Sequence, residues 1–222
     1  MGIRVNNFRL VLIAVLGAIL VLLFYCPATA TASPGYTIRD DPTGGDCTSI
    51  GTWDVAGRTC TLNTDVTVAG SDGILVADDG ITVNGDGHVI SGSGGIGYGT
   101  HLVGRTGVTI RNIEVHGFYA GIYLDSSHAN SILSNRTGGN VMIGISLSGS
   151  NDNTLSENST PDVLGMVLDS SHGNTLSGNN FLNNPDWGLY LDNSNDNTVT
   201  GNTICGAAEF GLSLHDLSLI HI

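Results

Sequence analysis

The stretch Gly165-Met-Val-Leu-Asp-Ser-Ser-His-Gly-Asn-Thr-Leu-Ser-Gly-Asn179 recurs along the second half of the chain and decides the fold. Related segments begin at Gly121, Gly144 and Gly188, and a shorter fifth segment begins at Gly211, so successive starts are 23, 21, 23 and 23 residues apart. Repetition with this period is typical of a solenoid, in which each repeat buries its apolar face against its neighbours.

Two asparagines occupy fixed places in every full repeat. If the chain coils once per repeat, equivalent residues lie about 4.8 Å apart, the spacing of neighbouring strands. Each side-chain amide can then donate to its copy in one adjacent coil and accept from its copy in the other, as in stacked identical strands. The repeats therefore predict two inward asparagine ladders: Asn130, Asn153, Asn174 and Asn197 in the first, and Asn135, Asn158, Asn179 and Asn202 in the second.

The Gly-Ile-x-Leu start of each repeat predicts a strand with two inward apolar residues, such as Ile122 and Leu124. The leading glycine suits a corner that needs a positive φ or close packing. Leucine-rich repeats have a similar length, but they keep one ladder asparagine and often a helical return, whereas these return segments are rich in Ser, Asn, Gly and Thr. We therefore predict an all-β solenoid, a parallel β-helix of about six coils of 21–23 residues over 66–216.

The Gly-Ile-x-Leu starts, the Asn-x-Leu-x-x-Asn segments and the run Gly80–Ile90 resemble the repeats of NosD-like proteins in the pectin-lyase-like superfamily. The resemblance implies right-handed coiling, which is also the rule for parallel crossovers. It does not imply one activity, because this fold carries lyases, hydrolases, epimerases, adhesins and non-enzymes. Pectate-lyase-type relatives use an Arg or Lys base with Ca²⁺ held by Asp, and copper handling is attached to the NosD name.

The N-terminus has the layout of an export signal. Met1–Arg9 is basic, Leu10–Phe24 is apolar or small, and Ala28–Ala32 offers overlapping A-x-A cleavage sites. We predict a helical signal peptide over residues 1–32. The alternative is an uncleaved membrane anchor, although fifteen apolar residues are short for a bilayer of about 30 Å. Both alternatives place the remaining chain outside the cytoplasm, as a secreted, periplasmic or cell-surface protein.

The charge of the chain excludes several functions. Lysine is absent, and seven arginines stand against 20 acidic residues, for a formal net charge of −13. Loss of Arg4 and Arg9 with the signal leaves five arginines and a charge of −15. Such a surface repels nucleic acid, and without lysine there is no Schiff-base chemistry and no complete Walker A loop.

The two ends of the repeat region differ from its middle. Residues 33–65 do not repeat, and we predict an N-terminal cap closed by a Cys47–Cys60 disulfide, worth about 3 kcal/mol; the alternative is two buried thiols. Cys205 is left unpaired. Residues 217–222 fit no repeat column and resemble sequencing-adapter read-through, so we expect the chain to be a fragment of a longer solenoid. The alternative is a short strand that ends the solenoid.

Candidate chemistry lies on the outward side of the repeat strands. Asp125, Asp169 and Asp192 share one outward column, and Tyr123 and Tyr190 lie in the next. Tyrosines that stack on sugar rings beside carboxylates that bind hydroxyls form a carbohydrate site, and Asp169 and Asp192, in adjacent coils, are catalytic candidates. The alternative is that Asp-Ser-Ser begins a turn after each strand.

Three functions follow from these features. The first is an exported scaffold that contacts neutral glycans or other cell-surface components, without enzymatic activity. The second is a polysaccharide lyase or glycosidase, using Ca²⁺ if it is a lyase, with Arg105, Arg111 and Arg136 as the available base candidates. The third is a NosD-like accessory protein in copper-enzyme maturation, but no Met/His/Cys cluster supports it. We expect no metal site and no cofactor, no nucleic-acid partner, and membrane contact only through an uncleaved N-terminus.

Overall fold

The computed structural model describes residues 35–221, and the predicted signal segment 1–32 lies outside them. Within these residues the chain is β-structure except for one short helix, α1 (Cys47–Ile50). Nearly all strands pair in parallel with their equivalents one coil away, which gives a parallel β-solenoid of about 7 turns. The predicted all-β parallel fold is therefore confirmed, with more turns than the six expected.

Three stacks of strands run along the solenoid. Sheet 1 contains β1 (Tyr36–Ile38), β5 (Ile74–Val76), β8 (Tyr98–Val103), β11 (Ala120–Asp125), β14 (Ile143–Ser148), β16 (Leu164–Asp169), β19 (Trp187–Asp192) and β22 (Phe210–His215). Sheet 2 contains β2 (Gly51–Asp54), β3 (Thr59–Leu62), β6 (Thr82–Asn84), β9 (Thr109–Arg111), β12 (Ser131–Leu133), β15 (Thr154–Ser156), β17 (Thr175–Ser177), β20 (Asn197–Thr200) and β23 (Ile220–His221). Sheet 3 contains β4 (Val66–Ala69), β7 (Val89–Ser93), β10 (Glu114–His116) and β13 (Arg136–Thr137), and single bridges through Ser159 connect β13 to the pair β18 (Asn180–Leu182) and β21 (Thr203–Cys205).

The additional turn comes from residues predicted to be only a cap. Within 33–65, β2 and β3 form an antiparallel hairpin, but β1 pairs in parallel with β5, and β3 pairs in parallel with β6. These strands lack the Gly and Asn pattern of the later repeats, so no repeat motif indicates that they continue the stacks. The predicted Cys47–Cys60 disulfide is present and joins α1 to β3, and Cys205 is an exposed free thiol.

The tail also differs from expectation. Residues 217–222 were expected to fit no repeat column, yet β23 pairs in parallel with β20 and places Ile220 opposite Asn197. That prediction is wrong for Ile220 and His221, because backbone pairing does not depend on the asparagine that earlier coils have at this position. Among residues 35–221, no helix is both long and apolar enough to cross a membrane.

The asparagine columns connect each coil to the next, and seven of the eight side chains are buried. Asn174 Oδ1 accepts hydrogen bonds from the backbone N–H and the side-chain Nδ2 of Asn153, at 2.8 and 3.0 Å. Asn179 Oδ1 accepts the corresponding pair from Asn158, both at 3.0 Å. Every ladder amide therefore binds the backbone of an adjacent coil, and all except Asn197 also bind a neighbouring ladder amide.

A buried serine column, which the sequence analysis did not identify, adds a third set of such bonds. Its members are Ser127, Ser150, Ser171 and Ser194. Each of the first three donates its backbone N–H to the hydroxyl of the next serine in the column, at 3.0 Å. The second serine of Asp-Ser-Ser is therefore an inter-coil contact as well as part of a turn.

The repeat glycines are required by close packing between coils. Gly121, Gly144, Gly165 and Gly188 stack on one another, and a Cβ on Gly144 would lie 2.6 Å from the Gly165 carbonyl oxygen. None of these four has a positive φ. The left-handed backbone is instead found just after the sheet 1 strands, for example at Ser170, where φ is 49°.

One corner contains a buried carboxylate in a column of amides. Asp162 is 2% exposed and lies between Asn140 and Asn184 of the adjacent coils. Its Oδ1 accepts the backbone N–H of Asn140 at 2.8 Å, and its Oδ2 accepts the Thr137 hydroxyl at 2.7 Å. Burial raises the pKa of Asp162 above its ordinary value, and these hydrogen bonds offset only part of that shift.

Replacing Asn174 with leucine tests the asparagine ladders. The change removes the hydrogen-bond acceptor of the backbone N–H and the side-chain Nδ2 of Asn153. It also removes the donor to the Ser150 carbonyl, which accepts from Asn174 Nδ2 at 3.1 Å. An unsatisfied buried polar group costs about 1–3 kcal/mol, so we expect at least that loss in the free energy of unfolding, measured by urea denaturation. Asn63→Leu, at an exposed position outside the columns, is the matched control. Equal midpoints for the two variants would contradict the ladder.

Asp162→Asn is expected to stabilise the protein at neutral pH. Because the folded-state pKa of Asp162 is raised, its favourable contribution to the free energy of unfolding is complete at pH values below the ordinary pKa of an aspartate. That contribution is lost as the pH rises through the raised, folded-state pKa. Asparagine stays neutral, as at positions 140 and 184. We expect thermal unfolding to show a gain of a few degrees at pH 7 that shrinks towards pH 4. Asp152→Asn makes the same charge change at an exposed position, and an equal gain there would contradict the explanation by burial.

Candidate functional site

The outer face of sheet 1 brings together the residues that the sequence analysis proposed as ligand-binding. From β8 to β22 its strands present three outward columns: one at the strand starts, one in mid-strand and one at the strand ends. The columns are Tyr98, Ala120, Ile143, Leu164, Trp187 and Phe210; His101, Tyr123, Ser146, Val167, Tyr190 and Ser213; and Val103, Asp125, Ser148, Asp169, Asp192 and His215.

Three aromatic rings form a cluster on β8 and β11. The ring centroids of Tyr98 and Tyr123 are 4.4 Å apart, and His101 lies 4.7 Å from Tyr98 and 5.3 Å from Tyr123. Asp72 holds this cluster in place: its Oδ1 accepts the backbone N–H of Tyr98 at 2.9 Å, and its Oδ2 is 2.8 Å from His101 Nδ1. Tyr123 is therefore one part of a fixed three-ring surface.

A second aromatic pair lies on β19. Trp187 and Tyr190 stack with centroids 4.5 Å apart and ring planes 18° from parallel. Tyr190 is only 5% exposed, so it does not offer the open ring expected of a sugar platform. Trp187, which the sequence analysis did not select, is the partly exposed ring of the pair. Three strand spacings, about 14 Å, separate β19 from β11.

The space between the aromatic groups has an apolar floor. Ile143, Leu164 and Val167 are buried on this outer side, where they form a cluster with Tyr190 that is separate from the solenoid core. Tyr119 and Met142 pack against the same cluster. The outer face of sheet 1 is therefore a continuous apolar strip, unlike the polar surface that strand alternation alone predicts.

The carboxylates line one side of this strip. Asp169 and Asp192 are direct partners across β16 and β19, whereas Ser148 separates Asp169 from Asp125. The Ser126 hydroxyl donates to Asp125 Oδ1 at 2.9 Å, and the Ser170 hydroxyl donates to Asp169 Oδ1 at 3.0 Å. These bonds match the turn interpretation, and they leave the carboxylates beside the aromatic strip.

The local potential at β19 is negative. Burial, together with the charge of Asp192, a hydrogen bond with Asp192 and the charges of Asp169 and Asp216, raises the pKa of Tyr190 to about 12. The arginines lie elsewhere: Arg111 belongs to β9 of sheet 2, and Arg136 belongs to β13 of sheet 3. Arg105 donates from Nη1 to the Ala77 carbonyl at 2.8 Å and lies 3.7 Å from Asp79. Sheet 1 thus has no arginine in its outward columns from β8 to β22.

One group of metal-ligating side chains occurs within residues 35–221. His215 Nδ1 lies 3.6 Å from Asp192 Oδ1 and 3.4 Å from Asp216 Oδ2.

Two other histidines have a structural contact: His128 Nδ1 and His172 Nδ1 accept backbone N–H groups of the following coil, each at 3.0 Å. Asn151 of the intervening coil lies between them, where it donates its backbone N–H to His128 and accepts that of His172.

Residues missed by the sequence analysis lie mostly before the regular repeats. His101 is 22 residues before Tyr123, one repeat length, so counting backwards along the column would have found it. Asp72 precedes β5 in a coil without the repeat motif, and no spacing signal marks it. Trp187 directly precedes the repeat start Gly188. Strand alternation counted back from the inward Ile and Leu positions of the repeat makes position 187 inward, so no outward side chain is predicted there.

Comparisons with known proteins agree with this architecture. Residues 37–209 match the family described as periplasmic copper-binding protein (NosD). A mutant of the periplasmic alginate epimerase AlgG shares 17% identity and superposes with a TM-score of 0.60, over 73% of this chain and 50% of that one. An alginate lyase from Paenibacillus sp. str. FPU-7 shares 17% identity over 71% of this chain and 75% of that one, with a TM-score of 0.45.

The structural likeness at this identity shows the fold alone. The chain spans about half the length of the epimerase that it matches. A search of curated proteins finds no match. The NosD-like resemblance noted from the repeats is confirmed by the family match.

Proposed function

The chain belongs to the NosD family of periplasmic proteins, and from this we propose that it is an extracytoplasmic β-helix scaffold whose outer face of sheet 1 binds glycans. The observation that carries the proposal is the strip of aromatic and apolar side chains bordered by carboxylates. Partly exposed aromatic rings pack against the C–H faces of sugars, and carboxylates accept hydrogen bonds from sugar hydroxyls. The Cys47–Cys60 disulfide supports a location outside the cytoplasm.

The family description raises the question of copper. The donor set of Asp192, His215 and Asp216 is one imidazole and two carboxylates, and both His215 and Asp216 are exposed. Copper-transfer sites for Cu(I) use thiolate or thioether ligands, and no sulfur atom belongs to this group. Met166 is buried in the core, Met142 packs against the apolar cluster on the outer side of sheet 1, and Cys205 lies on β21 of a different sheet. These residues do not fit a Cu(I)-transfer site, and we assign no step to copper.

Glycan binding is tested by affinity electrophoresis of the full chain in gels that contain neutral, acidic or amino-sugar polysaccharides. We expect retardation by at least one of these polymers. Tyr123→Ala and Trp187→Ala should each weaken it by about tenfold, because each removes a stacking surface worth about 1–3 kcal/mol. Thr175→Ala, on the exposed face of sheet 2, is the matched control.

Circular dichroism establishes that each variant is folded before its binding is compared. If no polysaccharide retards the chain, or if Thr175→Ala weakens binding as much as the aromatic variants do, the proposed surface is wrong.

A second candidate function is cleavage of the bound polysaccharide by a lyase or glycosidase. Its supporting observation is the direct pairing of Asp169 with Asp192, because two neighbouring carboxyl groups can divide acid and base roles. The structural neighbours named above act on alginate, a polyuronate, whereas this acidic strip is better suited to uncharged or positively charged substrates. If the enzyme were a lyase, Ca²⁺ on these acids would be part of the proposal.

Cleavage is tested by measuring the release of reducing ends from a polysaccharide that binds. The enzymatic proposal expects product, and it expects Asp169→Asn combined with Asp192→Asn to abolish release while some binding remains. Binding without any product would contradict the enzyme and agree with the scaffold.

A further inference from the structure

The outer face of sheet 1 carries charge of essentially one sign. Asp125, Asp169 and Asp192 stand in its third column, and Asp216 directly follows β22. The chain contains no lysine, and the outward columns from β8 to β22 contain no arginine. A polymer with negative groups would be repelled along this face and would find no lysine or arginine there to pair with, and the histidines His101 and His215 already lie against Asp72 and Asp192.

The negative charge is most concentrated at β16 and β19. Asp169 and Asp192 are direct partners in register, which places their Cβ atoms about 5 Å apart. Carboxylates this close repel each other, and a positive group between them relieves the repulsion. The pKa of Tyr190, raised to about 12 by burial and by the charges of Asp192, Asp169 and Asp216, is the response expected in a negative potential.

An aromatic ring lies on the same strand as Asp192. Trp187 begins the strand that ends in Asp192, and it covers Tyr190 in the middle of that strand. Aromatic rings attract the C–H faces of sugars, and they also attract cations, for which tryptophan is the best partner. A glycan that carries positive groups could therefore contact the ring on β19 and the acids at the ends of β16 and β19.

The axial repeat of the solenoid suits a polymer of such sugars. Adjacent coils lie about 4.8 Å apart, close to the length of one pyranose unit in an extended glycan. Consecutive sugars laid along the axis can therefore face consecutive coils. Because each sugar of an extended β-1,4 chain is turned about half a revolution from the previous one, like substituents meet one outward column at every second coil. The two aromatic groups on β11 and β19 are separated by about three such units.

We infer that the ligand of this face is a glycan of unacetylated amino sugars, in which one ammonium group lies between Asp169 and Asp192 while a sugar ring packs against Trp187. The inference rests on the glycan-binding function proposed above. It distinguishes this face from one that binds uncharged sugars, because the ammonium groups supply the missing positive charge.

The test is calorimetric titration of the full chain with three tetrasaccharides of the same β-1,4 backbone: glucosamine tetramer, N-acetylglucosamine tetramer and cellotetraose. The buffer is mildly acidic, so that the free amines are protonated, and it contains EDTA to remove bridging metal ions. We expect glucosamine tetramer to bind about tenfold more tightly or better, as charge-assisted hydrogen bonds allow. Added salt should shrink this preference.

Asp169→Asn combined with Asp192→Asn should remove the preference for glucosamine tetramer and retain binding of cellotetraose. The matched control is Asp152→Asn combined with Asp196→Asn, which changes the net charge equally at exposed positions. Both control residues have a left-handed backbone, which asparagine accepts.

The outcomes separate this inference from the function on which it rests. Equal affinity for the three oligomers, or an equal loss of preference in the control variant, overturns the amino-sugar inference and leaves glycan binding standing. Tighter binding of tetragalacturonate than of glucosamine tetramer also overturns it. If none of the oligomers and none of the polysaccharides binds, both the inference and the proposed function are wrong.

Discussion

Hydrogen bonds from the side chains of one coil to the backbone of its neighbour are the interaction on which this structure depends. At the corners, the chain turns away from the strand ladders, and the buried N–H groups there need other partners. Asparagine supplies them in two columns and serine in a third. His128 and His172 do the same nearer the surface. Because every coil is held in register by these contacts, the outward columns of sheet 1 are also aligned.

The predictable part of the fold is the part in which side-chain identity and position repeat together. The columns of Asn153 and Asn158 could be found because asparagine recurs at each corner, and parallel pairing followed from their stacking. The turn formed by β1 and β3 could not be found, since backbone pairing alone extends the sheets there. The serine column was visible in the sequence, but a serine after Asp has a sufficient explanation as a turn residue.

The candidate site was predictable in position but not in detail. Strand alternation placed Asp169 and Tyr190 on the outer face of sheet 1, and the structure has them there. Alternation cannot show that Trp187 covers Tyr190, because that depends on how two large side chains of one strand pack against each other. It also gave no reason to join Asp72 with His101, which lie 29 residues apart and meet only when two coils stack. Side-chain packing, both within a strand and between coils, therefore decides which rings and acids lie together on this face.

The pairing pattern has a consequence for how such a protein changes length. Each strand of sheet 1 is hydrogen-bonded only to the strands directly above and below it, so duplication or deletion of one whole 21–23 residue unit leaves every remaining contact type intact. Genetic change by complete units would then lengthen or shorten the outer face of sheet 1 in steps of one strand spacing. An insertion of two or three residues within a strand would instead break the alignment of the columns. Whole coils can therefore be gained or lost along the axis during evolution, whereas the length of an individual coil can change very little.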